Sequence, residues 1–196
     1  MNRRFAVISG LLLSLLFWGC SPTLPGYRDA RSKWTESQSV YHELELQAHA
    51  FATFKTKEFR RQYVREFGRL FALRARQRQA LLAQELAEEK KRYVFIVILN
   101  TKVPGWNDLK RTGKVWRVHL ANRKGDSVSP ASIRQLDSRN PTWSALFPRL
   151  DPLYRIWELK FPRVTDTGKP LVNRGQHLDL IIAGAPATLK LSWRQP

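Results

Sequence analysis

Four histidines, one cysteine and a knot of glutamates near residue 85 are the side chains of this 196-residue chain whose chemistry can go beyond packing. His42 and His49 stand seven apart, two turns of a helix, whereas metal ligands on one helix sit three or four apart, so the spacing reads as non-ligand. His119 and His177 fall on or beside different predicted strands, with no cysteine or acidic cluster near them. Thr112-Gly113-Lys114 and Thr167-Gly168-Lys169 look like the end of a phosphate loop but lack both the upstream Gly and the Ser/Thr after Lys, so they read as turns. No serine occupies a nucleophile elbow. Glu85, Glu88 and Glu89, beside Lys90, Lys91 and Arg92, read as a solvated helix end. The acids of the second half are scattered and form no pair for general acid–base work. No cofactor, no metal and no enzymatic activity are therefore expected.

Cys20 is distinguished by what precedes it. Arg3 and Arg4 are followed by Phe5 to Gly19, fifteen nearly unbroken apolar residues. A spanning helix wants about 20, and a positive start, a short apolar core and a small residue before a cut describe an export signal. Read from composition alone, the run is such a signal or an uncleaved anchor. Leu16-Phe17-Trp18-Gly19-Cys20 resembles the lipobox of bacterial lipoproteins, although Phe17 and Trp18 stand where Leu and a small residue are usual. That resemblance implies that the Cys20 thiol receives a diacylglycerol and becomes the first residue of the mature chain. Each buried lipid CH₂ contributes about 0.8 kcal/mol, and two chains hold stably where one holds marginally. Ser21, rather than Asp, follows the cysteine, which implies the outer membrane, with the protein facing the periplasm.

Charge bounds the partners. The chain carries net +18, and removal of 1–19 takes away only Arg3 and Arg4, leaving 32 basic and 16 acidic side chains, net +16. In an exported protein that field points to envelope anions, such as phosphorylated glycolipids, anionic phospholipids and cell-wall polymers, or to an acidic envelope protein. No nucleic-acid partner is expected. With no second cysteine there is no internal disulfide, so the core must hold by packing.

Four segments follow: signal peptide 1–19, tether 20–33, helical segment 34–92 and β-sandwich domain 93–196. From Trp34 to Arg92 there is no Pro and one Gly. Thr35-Glu36-Ser37-Gln38 fits a capping box, and Val40, Leu44, Ala48 and Phe51 recur at helical steps. Thr53 to Lys57 marks a bend, with Thr56 capping a second helix over Lys57 to Lys90. Phe59, Tyr63, Phe67, Leu70 and Phe71 share one face of it. Arg61, Arg65 and Arg69 line another, followed by Arg74, Arg76 and Arg78; they form either a solvated face or an anion and partner contact.

Tyr93 to Leu99 is apolar at both parities, so this strand must be buried on both faces, with helices over the side away from the second sheet. Trp116, Val118 and Leu120 then point one way, as do Trp157, Leu159 and Phe161. So do Leu178, Leu180 and Ile182, and finally Leu189, Leu191 and Trp193. Asn122 to Gly125 and Ala183 to Pro186 read as turns. The prolines of Phe147-Pro148-Arg149 and Phe161-Pro162-Arg163 mark strand ends. Trp106, in Gly105 to Leu109, is either a core lid or an exposed aromatic contact. The fold class is α+β: about two N-terminal helices packed on an antiparallel sandwich, Ig-like in shape.

The stretches at 27–35, 57–73, 105–109 and 146–152 resemble a group of predicted lipoproteins of Gram-negative bacteria that carry no assigned activity. The resemblance brings no catalytic or binding residue. Two roles fit: a tethered scaffold docking other envelope proteins, or a binder of an anionic envelope glycolipid or cell-wall polymer through the basic helix face.

Overall fold

The computed structural model describes residues 23–110, 115–148, 150–151 and 153–196; the expected export signal, Cys20, the expected turn at 112–114 and Arg149 lie outside the described residues. Strand β3, Arg92–Thr101, is the centre of the molecule. Tyr93 to Leu99 are buried without exception, as an apolar run with no polar parity demands. It sits in the middle of a five-stranded antiparallel sheet of order β1-β2-β3-β7-β6, with β1 Thr35–His42, β2 Glu45–Phe54, β6 Ser132–Leu136 and β7 Arg155–Pro162. A second, four-stranded sheet of order β5-β4-β8-β9 faces it, from β4 Trp116–Asn122, β5 Ser127–Val128, β8 His177–Gly184 and β9 Thr188–Arg194.

The core between the sheets is built from one parity of each strand. Phe54 and Phe95 stack 4.8 Å apart, and Trp193 of β9 lies 5.0 Å from Phe95. The expected inward rows on β4, β7, β8 and β9 are all buried. Trp193 Nε1 donates to Trp34 O at 3.1 Å and Lys190 N donates to Gln38 Oε1, closing the sandwich along β1 and β9. Gly125, at φ +93°, makes the β4–β5 turn, which Asn122 N closes by donating to Asp126 O at 3.0 Å.

Helices cover the other face of the large sheet: α1 Pro25–Trp34, α2 Lys57–Leu70 and α3 Ala75–Lys91, with a short α4, Pro141–Leu146, further on. Thr56 caps α2 as expected, its hydroxyl accepting from Phe59 N at 3.2 Å. The aromatic face of α2 is also as expected, a ladder from Phe59 through Tyr63 and Phe67 to Phe71 with ring spacings of 6.1, 5.8 and 4.4 Å. Tyr27 of α1 joins it 5.7 Å from Phe59. The fold is thus an α+β sandwich.

Four expectations are corrected. Residues 35–54 are not a helix but the β1–β2 hairpin, so the 34–92 segment supplies two strands to the sandwich and is no separate helical unit. Ala48, Ala50 and Ala52 alternate with His49, Phe51 and Thr53, and burial of that alanine row against the second sheet overrides alanine's helix preference. The hairpin turns through Glu43 at φ +56°, with no Gly or Asn to announce it. The expected helix from 57 to 90 is broken after Leu70. Leu73 N donates to Gly68 O at 2.9 Å and Ala72 N to Arg69 O at 3.4 Å, a Schellman ending with Ala72 at φ +48° where glycine is usual. The tether is shorter than 20–33, because α1 begins at Pro25. Pro162 does end a strand, but Pro148 follows helix α4.

Candidate functional site

The arginine row divides at the break between α2 and α3. Arg61 and Arg65 are exposed on α2, while Arg69 pairs with the buried Glu66, Nη2 to Oε1 at 2.7 Å. Arg74 stands at the start of α3, its backbone N–H donating to Gln77 Oε1 at 2.8 Å, and Arg76 and Arg78 follow in the first turn. The reversal therefore gathers Arg69, Arg74, Arg76 and Arg78 at the α2–α3 turn and leaves Arg61 and Arg65 along α2. The first turn of α3 holds no acid, so its positive end adds to the field of these cations. Phe71 is half exposed at the same turn.

The chain enters the fold beside that turn. Leu24 N donates to Glu66 Oε2 at 3.2 Å, and Arg69 Nε donates to the same oxygen at 3.2 Å. The Arg69 bonds, joined by that of Leu24, hold the Glu66 carboxyl below its ordinary range against the effect of burial.

Trp106 lies elsewhere, half-buried in a 3₁₀ turn at Pro104–Asn107, where its carbonyl accepts from Trp116 Nε1 at 2.5 Å. The structure does not bring it to the arginines. It borders instead an apolar end of the sandwich. Leu44, at the tip of the β1–β2 hairpin, is 98% exposed, Tyr41 61%, Val103 38% and Leu153 68%. These residues are tied together by their neighbours. Lys102 pairs with Glu45 and donates its N–H to Gln47 O, and Asn107 Nδ2 donates to Leu153 O at 3.4 Å. Tyr154 stands 6.3 Å from Phe51 and 6.2 Å from His49.

The glutamates near residue 85 are not a solvated end, as expected above, but the fastening of α3. Glu85 receives Lys55 Nζ at 2.9 Å and Arg60 Nη1, with Lys55, Arg60 and Glu85 side chains 8%, 1% and 14% exposed. Arg60 Nε donates to Lys55 O at 2.8 Å. Burial alone would raise the Glu85 carboxyl, but Lys55 and Arg60 together outweigh it and hold the group below its ordinary range. Burial pushes the Lys55 ammonium down, and Glu85 pulls against that. Glu88 meets Lys160 at 3.2 Å, and Glu89 takes Arg163, whose Nε also donates to the Glu89 carbonyl. Sequence spacing alone does not reveal this network, because its cations come from the residue after β2, from α2, from β7 and from the residue after β7. The one legible hint is that positions 81, 82, 85, 88 and 89 form a single helical stripe in which leucine gives way to glutamate.

His42 is exposed at the end of β1, and His49, in β2, meets Ser39 Oγ at 2.6 Å. His119 and His177 lie on β4 and β8 at separate register positions. Among the described residues, no three His, Cys, Asp or Glu side chains come together as a metal requires, and no helix is long and apolar enough to cross a membrane. No protein-family model, no curated protein and no solved structure matches the chain.

Proposed function

We propose that this chain is a lipid-anchored protein of the cell envelope, held at Cys20 in the outer membrane and facing the periplasm, that acts as a scaffold by docking other envelope proteins rather than by catalysis. The observation that carries this reading is the apolar end formed by Tyr41, Leu44, Val103 and Leu153. Large side chains exposed singly are ordinary, whereas several gathered on one end mark a contact surface. A photo-crosslinker placed at Leu44 in living cells tests it. A discrete adduct that survives high salt and disappears with Tyr41→Asp supports docking, and its absence sinks the scaffold. For the anchor, Cys20→Ala abolishes lipid labelling and releases the protein from the membrane fraction. Retention without label would show that residues 5–19 themselves are the anchor.

A second reading, a binder of an anionic envelope glycolipid or cell-wall polymer, is favoured by the chain's entry point. Four chain steps lead from Cys20 to Leu24, a reach of at most about 14 Å. Leu24 is fixed beside Glu66 and Arg69, so a lipidated Cys20 holds the basic α2–α3 turn against the surface it is anchored in. Arg74, Arg76 and Arg78 changed together to Glu should then abolish salt-sensitive binding of anionic vesicles by the Cys20→Ala protein. Equal binding by both forms would dismiss this reading and leave the scaffold standing.

A further inference from the structure

A cleft of about 400 Å³ opens between α1 and the helix-side face of the large sheet, apart from the basic turn and the apolar end. One wall carries Arg28 and Arg31, one helical turn apart on α1. Its floor is a hydroxyl-rich patch of the β1–β2 hairpin, where Thr35 pairs with Thr53 and Ser37 with Phe51. Ile98 of β3 and Phe147, after α4, supply apolar surface beside it. Among the described residues that line the cleft there is no carboxylate.

Of the two cations at this wall, Arg28 is only loosely engaged and Arg31 is held in place. Arg28 meets Asp29 at 3.9 Å with both side chains largely exposed, a contact of little strength in water. Arg31 donates Nη1–H to the Leu146 carbonyl at 2.8 Å, lies 5.6 Å over the Tyr27 ring, interacts with the Tyr27 hydroxyl and feels the Glu66 carboxylate, so its guanidinium is fixed at the edge of the cleft. Thr35 Oγ1 and Thr53 Oγ1 stand 2.7 Å apart, so one hydroxyl donates to the other and one O–H proton is left for a third partner.

We infer that this cleft is a binding site for a phosphorylated sugar. Two guanidinium groups on one wall suit the several oxygens of a phosphate monoester, which accept charge-assisted hydrogen bonds. Hydroxyls interleaved with Phe51 and Phe147 suit a ring that has polar edges and apolar faces. A fatty acid fits poorly, because the Ser37 hydroxyl and the spare O–H of the Thr35–Thr53 pair would be buried against its chain without a polar partner. An inorganic anion alone would leave the apolar side unused. The same chemistry is available from the head of a phosphorylated glycolipid or from a unit of a phosphorylated glycan. The inference is independent of the anchor and of both docking surfaces above.

Calorimetric titration of the full-length protein in detergent with N-acetylglucosamine 1-phosphate, inorganic phosphate and N-acetylglucosamine tests it. The sugar phosphate should bind saturably, at least about tenfold more tightly than either fragment, and Arg28→Gln should weaken it by about tenfold. Ser37→Leu, on the exposed floor, should abolish it without changing the melting temperature. Affinity should fall as pH drops through about 6, where a phosphate monoester gains a proton. The Cys20→Ala protein should bind equally, so failure of the anchor and failure of the cleft give different results. Displacement by vesicles bearing a phosphorylated glycolipid, or instead by a soluble phosphorylated glycan, identifies the source. Binding of inorganic phosphate as tight as that of the sugar phosphate and unaffected by Ser37→Leu, or no saturable binding, overturns the assignment.

Discussion

Glu85 is the residue on which the attachment of α3 turns. It accepts from two buried cations at once, and Arg60 is the most enclosed charged side chain of the trio. Removing one partner of a buried pair leaves an uncompensated charge in a poorly solvated place, at about 3–5 kcal/mol. Glu85→Gln keeps the shape and loses the charge, so denaturant unfolding should show a loss of that order. Exchanging Lys55, Arg60 and Glu85 together for Met, Met and Leu should recover most of it, because the cluster's net contribution is small when burial is set against attraction. If Glu85→Gln melts like the parent, the two cations must be reaching water and the description of the site is wrong.

At the scale of elements, the break between α2 and α3 decides where the arginines go. Ala72 holds a left-handed conformation that strains an L-residue by about 1–2 kcal/mol, and it persists because α3 packs back on α2. Gly68 permits that approach, since a Cβ there would lie 2.5 Å from Arg78 Cδ. Ala72→Gly relieves the strain while loosening the unfolded chain, so a net gain of about 0.5–1 kcal/mol is expected in denaturant melts. A loss of stability would argue for one continuous helix. The β1–β2 hairpin is the converse case. Its two-residue turn at Glu43 and Leu44 has no favoured turn chemistry, so its register rests on the alternating alanine row and on closure against β9.

For the whole molecule, α3 is an unusual layer. It buries no residue completely and is fastened by Glu85, Glu88 and Glu89 to cations of the sheet and α2. Folded carboxyls held below their unfolded value of about 4.3 contribute stability above that value and lose it as pH falls through the folded one. Glu85 and Glu66 are both lowered in this way. Acidification below about pH 4 should therefore release α3 and the α1–α2 contact before the sandwich unfolds. Hydrogen exchange resolved by segment reads this directly, with 75–91 losing protection while 92–101 keeps it. Simultaneous loss in both would mean that α3 is held by packing rather than by charge.

The sequence by itself determined the elements whose burial is written in one strand or one helix face. β3 is apolar at both parities, β4, β7, β8 and β9 each carry an inward apolar row at every second residue, and α2 carries its aromatic ladder four residues at a time. Thr56 announced its cap, and Asn122 to Gly125 announced its turn. The arginines were also legible as a group, though not their division, because the ending at Ala72 uses a residue that favours continuing the helix. Only the tertiary structure decided that 35–54 is a hairpin, since alanine favours helix until burial of its row against a neighbouring sheet overrides that preference. It alone brought Lys55, Arg60 and Glu85 together, and set Arg28, Thr35 and Thr53 around one cleft. Glu85 reaches Lys55 and Arg60 across 30 and 25 residues, and no local periodicity records a contact that chain reversal creates.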